Sequence, residues 1–193
     1  MLEYESNAAD IFPSVFNSAL DQLGAYVPKD GILVDMGCGF GMSTRNLAGK
    51  YPLAKKIMGL DLSEYFIEVG KFLLLDRSPK GYAEGGPWVT SITSDPRIEL
   101  MTRDMAHTGL EDELLDVVNL SLVIHELPIS ATVSVVDEAY RILKPGRQLW
   151  ICEMDFDSPA YAAPTPISLM ARLRPIVIGP PPASHRCIFP ELF

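Results

Sequence analysis

Apolar positions along the chain alternate between helical and strand-like spacing. Residues 7–26 place apolar side chains three and four positions apart, which predicts a leading helix, and a turn at 28–31 follows it. Five short apolar runs predict strands, at 32–34, 56–60, 98–101, 116–121 and 148–153. Helices are predicted between them, at 43–50, 63–77 and 129–143. Strands that alternate with helices predict an α/β fold in which a mostly parallel sheet is covered on both faces.

Two segments rich in proline and glycine interrupt this rhythm. Residues 78–97 favour neither a helix nor a strand and predict a surface excursion or a lid. After Asp157, seven prolines fall within residues 159–182, and only 167–173 suggests a short helix. We therefore divide the chain into an N-terminal helical cap at 1–30, a central domain at 31–157 and an irregular proline-rich tail at 158–193.

Composition narrows the classes of protein and partner. The 193 residues correspond to about one domain, and 48% hydrophobic with 21% charged residues excludes a disordered chain. The net charge of -9 opposes binding to phosphate backbones and anionic lipids, so we expect neither nucleic acid nor a membrane as partner. No stretch resembles a signal peptide or a membrane span, which predicts a soluble cytoplasmic protein. Three widely spaced cysteines and three dispersed histidines predict no disulfide framework and no metal site.

A glycine-rich turn follows the first predicted strand, with Gly37, Gly39 and Gly41 at alternate positions. Glycines at the carboxyl end of a strand let a ligand approach the backbone, although a bare turn before a helix has the same local pattern. The third glycine of a dinucleotide fingerprint would fall at Met42, so the spacing departs from that motif. Asp35 would repel a pyrophosphate and attract an ammonium or sulfonium group. The loop therefore predicts a pocket for a cation.

An acidic residue ends the second predicted strand. Asp61 can accept both hydroxyl hydrogens of a ribose, as acidic residues do at the equivalent position of nucleoside-binding sheets. The plainer alternative is a carboxylate at the start of a helix, next to Ser63, which is a suitable N-cap. Together with the glycine loop, Asp61 indicates a nucleoside-containing ligand at the top of the sheet.

The order of these motifs resembles the class I S-adenosylmethionine-dependent methyltransferases over about residues 30–157. The segments that carry the resemblance are 34–41 (VDMGCGFG), 61, 103–105, 115–121, 125–128 and 139–146. The resemblance implies a three-layer Rossmann-like sandwich and S-adenosyl-L-methionine as cofactor. The family has seven strands, and the last two form an antiparallel edge. Only about five are readable here, so the last two are expected to be missing or replaced.

The resemblance also implies roles for individual residues around the cofactor. The three loop glycines, Gly37, Gly39 and Gly41, would line its methionyl part. Asp35 would anchor its amino group, directly or through water, and Asp61 would bind the ribose hydroxyls.

Further along the chain, the resemblance places residues around the base and the methionyl chain. Asp104 would accept a hydrogen bond from the adenine amino group, while the backbone N–H of Met105 would reach a ring nitrogen. Leu62 and Met105 would flank the adenine and ribose, although both suit an ordinary core equally well. Leu120 and Ser121 would lie beside the methionyl chain. The alternative for Asp104 is a solvated loop carboxylate.

Methyl transfer from a sulfonium requires orientation and exclusion of water more than elaborate catalytic groups. A general base helps when the attacking atom carries a proton, and His125, just past the fourth strand, has a suitable intrinsic pKa. The alternative is that His125 caps a helix or bonds within its loop; Glu126 is a second candidate base. Aromatic residues that could close over a substrate, or equally belong to the core, are Trp88, Phe12, Phe16 and Tyr26.

Three functions are compatible with this pattern. The first is a methyltransferase that acts on a small-molecule acceptor, with the oligomeric state left open. The second is a nicotinamide-dependent oxidoreductase on a related sheet, which Asp35 and Met42 argue against. The third is a non-catalytic binding or regulatory protein whose shortened C-terminal part offers a partner surface. No nucleophile elbow of the G-x-S-x-G type is present, which argues against a hydrolase.

Overall fold

The computed structural model describes residues 16–18, 20–21, 24–74, 95–154 and 173–178. Six strands lie within these residues: β1 Ile32–Met36, β2 Lys56–Asp61, β3 Ile98–Thr102, β4 Leu115–Ser121, β5 Leu143–Met154 and β6 Leu173–Ile178. The helices are α1 Met42–Lys50, α2 Glu64–Leu74 and α3 Ile129–Ile142, and a 3₁₀ turn spans Ile124–Glu126. The predicted excursion lies outside the described residues from 78 to 94.

The strands form one sheet in the order β3-β2-β1-β4-β5-β6. The first five strands are parallel to one another, which confirms the predicted α/β fold with a mostly parallel sheet. The strand order reverses between β1 and β4, and ligands of such sheets bind at the carboxyl ends of the strands next to this reversal. The glycine loop follows β1 and therefore lies at this point.

Residues 173–178, within the tail that the sequence predicts to be irregular, form strand β6. β6 pairs antiparallel with β5, from Leu149 opposite Ile178 to Met154 opposite Leu173. The edge of β5 is therefore paired over its last six residues, and the missing edge of the family pattern is replaced in part. Pro175 weakens the strand signal in the sequence because proline has no N–H for a ladder, yet an edge strand tolerates it. The suggested helix at 167–173 falls outside the described residues except for Leu173, which begins β6.

Apolar side chains of the central strands point alternately to the two faces of the sheet, and each face has its own core. One face is covered by α3 and contains Val34, Met36, Leu60, Val118 and Leu120. The opposite face packs against Leu47 and Ala48 of α1. Strands buried on both faces read as nearly continuous apolar runs, which is why the sequence shows them clearly.

The leading helix covers the second face. Residues 16–18 and 20–21 are helical, and Phe16 and Leu20 are fully buried against this core. The helix ends earlier than the predicted 26, because Gly24 takes a left-handed φ of 70° and the Ala25 N–H returns to the Leu20 carbonyl at 2.9 Å. Residues 7–15 of the prediction lie outside the described residues.

A wide bulge opens the beginning of β5. Leu115 pairs with Leu143 and Val117 with Gln148, so residues 144–147 of β5 stand opposite Asp116 alone. The buried Asp116 carboxylate binds this bulge through Lys144 Nζ at 2.8 Å and Arg147 Nε at 3.0 Å. Burial alone would raise the pKa of Asp116, but these cations and the Ile32 N–H hold that pKa below its ordinary value. These contacts join β4 to the start of β5 at the end of the sheet opposite the glycine loop.

Candidate functional site

The glycine loop is anchored to the neighbouring strand β2. The N–H groups of Gly37 and Cys38 both donate to the Leu60 carbonyl, at 2.8 and 2.9 Å. All three predicted glycines have positive φ, namely 74° at Gly37, 54° at Gly39 and 81° at Gly41. This left-handed conformation favours glycine, which explains the alternate glycines of the sequence.

The three glycines differ in what a side chain would meet. A Cβ on Gly37 would lie 2.5 Å from Val123 Cγ2, so the loop after β4 closes against this position. A Cβ on Gly41 would lie 3.3 Å from Leu100 Cδ1. A Cβ on Gly39 would meet no heavy atom within 4 Å. Gly39 therefore exposes bare backbone to open space at the carboxyl edge of the sheet.

Asp35 lies beneath the glycine loop rather than on its surface. Its side chain is 1% exposed and accepts three hydrogen bonds: Ser43 Oγ and Thr44 Oγ1 at 2.6 Å, and Asn119 Nδ2 at 2.7 Å. Burial raises the pKa of this carboxyl despite the three donors. Its contacts in this structure join β1 to α1 and β4. A role toward the amino group of a cofactor remains a prediction for Asp35.

Asp61 lies at the end of β2, beside the glycine loop. Its Oδ2 accepts the Gly39 N–H at 2.8 Å, and its Oδ1 accepts the Ser63 N–H at 2.8 Å. Each carboxylate oxygen can accept about two hydrogen bonds, so both oxygens keep capacity for ribose hydroxyls. Ser63 Oγ accepts the Phe66 N–H at 3.3 Å, so it caps α2 as predicted. The adjacent Leu62 is 74% exposed and is not a core residue.

Asp104 and Met105 lie in the loop after β3. The exposed Asp104 accepts the Ala106 N–H at 2.8 Å through Oδ1, and Met105 is half-buried against the core under α3. This loop is tied to α3 by Glu138, which accepts the Thr108 N–H at 2.8 Å and the Thr108 hydroxyl at 2.5 Å. Arg141 also bonds to the Leu110 carbonyl and to Asp112. Two residues of α3 thus hold the loop that carries Asp104.

A buried polar chain connects β1 to β4. Asn119 Nδ2 donates to Asp35 and also to Ser121 Oγ at 2.9 Å, and Leu120 between them is fully buried in the core. Leu122, which follows Ser121, takes a φ of 54°, a left-handed conformation that is strained for an L residue. This strained residue directs the chain so that Val123 packs over Gly37.

His125 lies in the 3₁₀ turn after β4 and contacts the end of β5. Its Nδ1 is 2.5 Å from Glu153 Oε1, and its side chain is 21% exposed. Its Nε2 is 3.3 Å from Oε1 of Glu126, whose side chain is 76% exposed. The structure thus brings His125 to the same edge of the sheet as the glycine loop.

Sequence reasoning missed several of these partners. Ser43 and Thr44 lie in the first turn of α1, just after the loop. Asn119 lies among the apolar residues of β4, so a buried amide was a readable signal. Glu153 gave no signal because its partner His125 is 28 residues away. Of the aromatic lid candidates, Phe16 is in the core, Tyr26 is 60% exposed, and the remaining two, 12 and 88, lie outside the described residues.

The arrangement fits S-adenosyl-L-methionine. Backbone without a Cβ at Gly39 leaves room for a ligand, and the Asp61 carboxylate beside it accepts hydroxyl donors but would repel a phosphate. Among the residues that the structure describes, no cluster of three His, Cys, Asp or Glu side chains could hold a metal ion. Within the same residues, no helix combines the length and apolar character needed to cross a membrane.

A family model described as "Methyltransferase domain" matches residues 34–151. A curated relative, the carboxy-S-adenosyl-L-methionine synthase of Hydrogenovibrio crunogenus, is 25% identical over 162 residues, which cover 78% of this chain. The match spans 58% of that relative's length. The family match supports a methyltransferase domain rather than a nicotinamide-dependent oxidoreductase.

Solved structures share the fold at low identity. A SAM-dependent methyltransferase from Methanosarcina mazei is 20% identical with a TM-score of 0.55, covering 70% of this chain and 58% of that one. The [4+2]-cyclase SpnF is 18% identical with a TM-score of 0.56, covering 76% of this chain and 46% of that one. The family match over most of the sheet and these shared folds lead to one conclusion: the chain belongs to the methyltransferase-domain family, with a Rossmann-like fold and S-adenosyl-L-methionine as the cofactor of that family.

Proposed function

We propose that this chain transfers the methyl group of S-adenosyl-L-methionine to a small-molecule acceptor. The observation that carries the proposal is the open space above Gly39, next to the Asp61 carboxylate, at the reversal of strand order. The small size of the acceptor is supported by the net charge of -9, which opposes nucleic-acid substrates.

The cofactor-binding residues act by shape and hydrogen bonding. The backbone of Gly39 would lie against the methionyl part, Asp61 would accept the ribose hydroxyls, and Asp104 would accept the adenine amino group. The buried Asp35 would act from below, because its negative charge favours a cation near the loop that it holds. Leu62 is exposed beside Asp61, where it could cover the nucleoside.

S-adenosyl-L-methionine held by these residues would supply an activated methyl group. Its sulfur–methyl bond would break as the acceptor–methyl bond formed, and sulfur would keep the electron pair. The chain would have to orient the acceptor in line and exclude water. His125, at the same edge of the sheet, would accept the proton that a hydroxyl acceptor loses.

Isothermal titration of the full chain with S-adenosyl-L-methionine and S-adenosylhomocysteine tests the cofactor site. We expect micromolar binding of both, and a loss of at least about tenfold in Asp61→Asn. The amide has only one acceptor oxygen for the Gly39 N–H, the Ser63 N–H and the ribose hydroxyls. Glu99→Gln is the matched control, since Glu99 is an exposed acid paired with Lys56 near the amino-terminal ends of β3 and β2. Equal affinity in wild type and Asp61→Asn would overturn the site assignment.

Methyl transfer itself needs a second assay. The chain is incubated with S-adenosyl-L-methionine and a panel of small molecules that carry hydroxyl, amine or thiol groups, and S-adenosylhomocysteine is quantified. We expect release above the acceptor-free rate with at least one class, and loss of that release in Asp61→Asn. Cofactor binding without any acceptor-dependent release across the panel would contradict the catalytic part of the proposal and favour a binding protein.

A further inference from the structure

Glu153 connects the end of β5 to the turn that carries His125. Its Oε2 accepts the backbone N–H groups of Ile124 at 2.9 Å and of His125 at 3.3 Å. Its Oε1 lies 2.5 Å from His125 Nδ1. With its side chain only 16% exposed, the carboxylate is held in one orientation by three groups of the turn.

Glu126 approaches the other ring nitrogen but is a weaker partner. Its Oε1 lies 3.3 Å from His125 Nε2, and its side chain is 76% exposed against 16% for Glu153. An exposed carboxylate at this distance is solvated and gains little from the contact. The short contact to the held carboxylate therefore decides which ring nitrogen carries the proton in the neutral imidazole.

We propose that Glu153 is a positioning residue that fixes neutral His125 with its proton on Nδ1, so that Nε2 is the basic nitrogen. A carboxylate can only accept, so the nitrogen facing Glu153 must donate and the other must keep its lone pair. The catalytic meaning of this arrangement rests on the function proposed above. The tautomer itself does not, and it can be measured without an acceptor.

The arrangement specifies a class of acceptor. An acceptor hydroxyl would give its proton to His125 Nε2 while its oxygen forms the bond to the methyl carbon. The Glu153 carboxylate compensates the charge of the imidazolium that results, and His125 then releases the proton from Nε2 to solvent. An acceptor that is already ionised, such as a carboxylate, would not need this pair. The geometry thus favours an acceptor whose attacking atom carries a proton, such as a neutral hydroxyl compound.

Glu153→Gln tests the tautomer because an amide has only one acceptor oxygen. The two backbone N–H groups of the turn need that oxygen, which turns the amide NH₂ toward His125 Nδ1. Nδ1 must then accept, and the proton moves to Nε2. Nitrogen-15 NMR of the neutral imidazole distinguishes the two tautomers directly.

The expected result is a proton on Nδ1 in the wild type and on Nε2 in Glu153→Gln. Glu126→Gln is the matched control and should keep the wild-type tautomer, since Glu126 is exposed and lies near the other nitrogen. Titration with S-adenosylhomocysteine should give equal affinity in all three proteins, which shows that the fold and the cofactor site are intact. A proton on Nε2 in the wild type, or an unchanged tautomer in Glu153→Gln, would overturn the proposal.

Kinetics separate this inference from the proposed function. With a hydroxyl acceptor, Glu153→Gln should lower kcat roughly a hundredfold while the KM for the cofactor stays constant, because the base is lost and the cofactor contacts are not. A confirmed tautomer with no methyl transfer to any acceptor would refute the proposed function alone. An unchanged kcat with an inverted tautomer would refute the catalytic role of the pair.

Discussion

Replacing single glycines by alanine can separate backbone strain from ligand contact. Gly39 and Gly146 both have positive φ, 54° and 77°, and a Cβ on either would meet no heavy atom within 4 Å. Each alanine substitution should therefore lower the free energy of unfolding by about 1–2 kcal/mol, the cost of a left-handed L residue. Gly146 lies in the bulge at the opposite end of the sheet, so it serves as a control matched in backbone strain.

Of these two substitutions, only Gly39→Ala should weaken binding of the cofactor. A methyl group in the space that the ligand needs costs about 1–3 kcal/mol, as overpacking does elsewhere, which corresponds to roughly a 5- to 150-fold higher Kd. Gly37→Ala adds a contrast, because its Cβ would lie 2.5 Å from Val123 Cγ2 and should destabilise the fold by roughly 2–5 kcal/mol. Stability would be measured by urea unfolding and affinity by titration with S-adenosylhomocysteine.

Two outcomes would refute this reasoning. If Gly39→Ala binds S-adenosylhomocysteine as tightly as the wild type, the open space at Gly39 is not the ligand's position. If Gly146→Ala weakens binding as much as Gly39→Ala, the loss reflects general destabilisation instead of a contact.

Two further predictions concern the supports of the site. Hydrogen bonds from Arg141 and Thr108 lower the pKa of Glu138 to about 2. The ionised Glu138 carboxylate therefore stabilises the fold above the unfolded pKa of about 4.3, and this contribution is lost as the pH falls toward 2. Glu138→Gln should therefore lower the free energy of unfolding by about 2 kcal/mol at neutral pH, a value discounted for the exposure of Arg141. It should also reduce the loss of stability between about pH 4 and pH 2; an unchanged dependence of stability on pH would contradict this. Deletion from Leu173 onward should expose the edge of β5 and cause association in size-exclusion chromatography with light scattering, whereas a monomer with wild-type Tm would show that β6 is dispensable.

Strands β1, β2 and β4 and the buried part of β5 could be predicted because they are covered on both faces and read as apolar runs. β3 lies at the edge of the sheet, and only Leu100 of its residues is buried, but its short apolar run was also readable. The glycine loop could be predicted for a similarly local reason, since its positive φ values demand glycine at three alternate positions. Ser63 could be predicted as the N-cap of α2, and Asp61 as the acidic residue that ends β2, because each lies beside the element concerned. These features depend on neighbours within a few residues, and the sequence displays such neighbours directly.

Asp35 shows where local reasoning becomes incomplete. Its position before the glycine loop identified it as important, but its burial depends on Ser43, Thr44 and Asn119, and Asn119 comes from a strand 84 residues away. The sequence predicted a carboxylate that attracts a cationic ligand, and the structure adds that this carboxylate is buried and joins two strands and a helix. The pKa of such a group is set by burial, which no single segment reveals.

The sequence by itself determined the elements of the parallel sheet, the family resemblance and the edge at which a cofactor would bind, because periodicity, turn chemistry and motif spacing are local properties. Only the tertiary structure decided the contacts between distant segments. It placed β6 against β5, Glu138 under the loop of Asp104, and Glu153 against His125. Such pairs form when hydrogen-bonding groups and unpaired strand edges meet during packing, and their energies depend on burial and on partners remote in the chain.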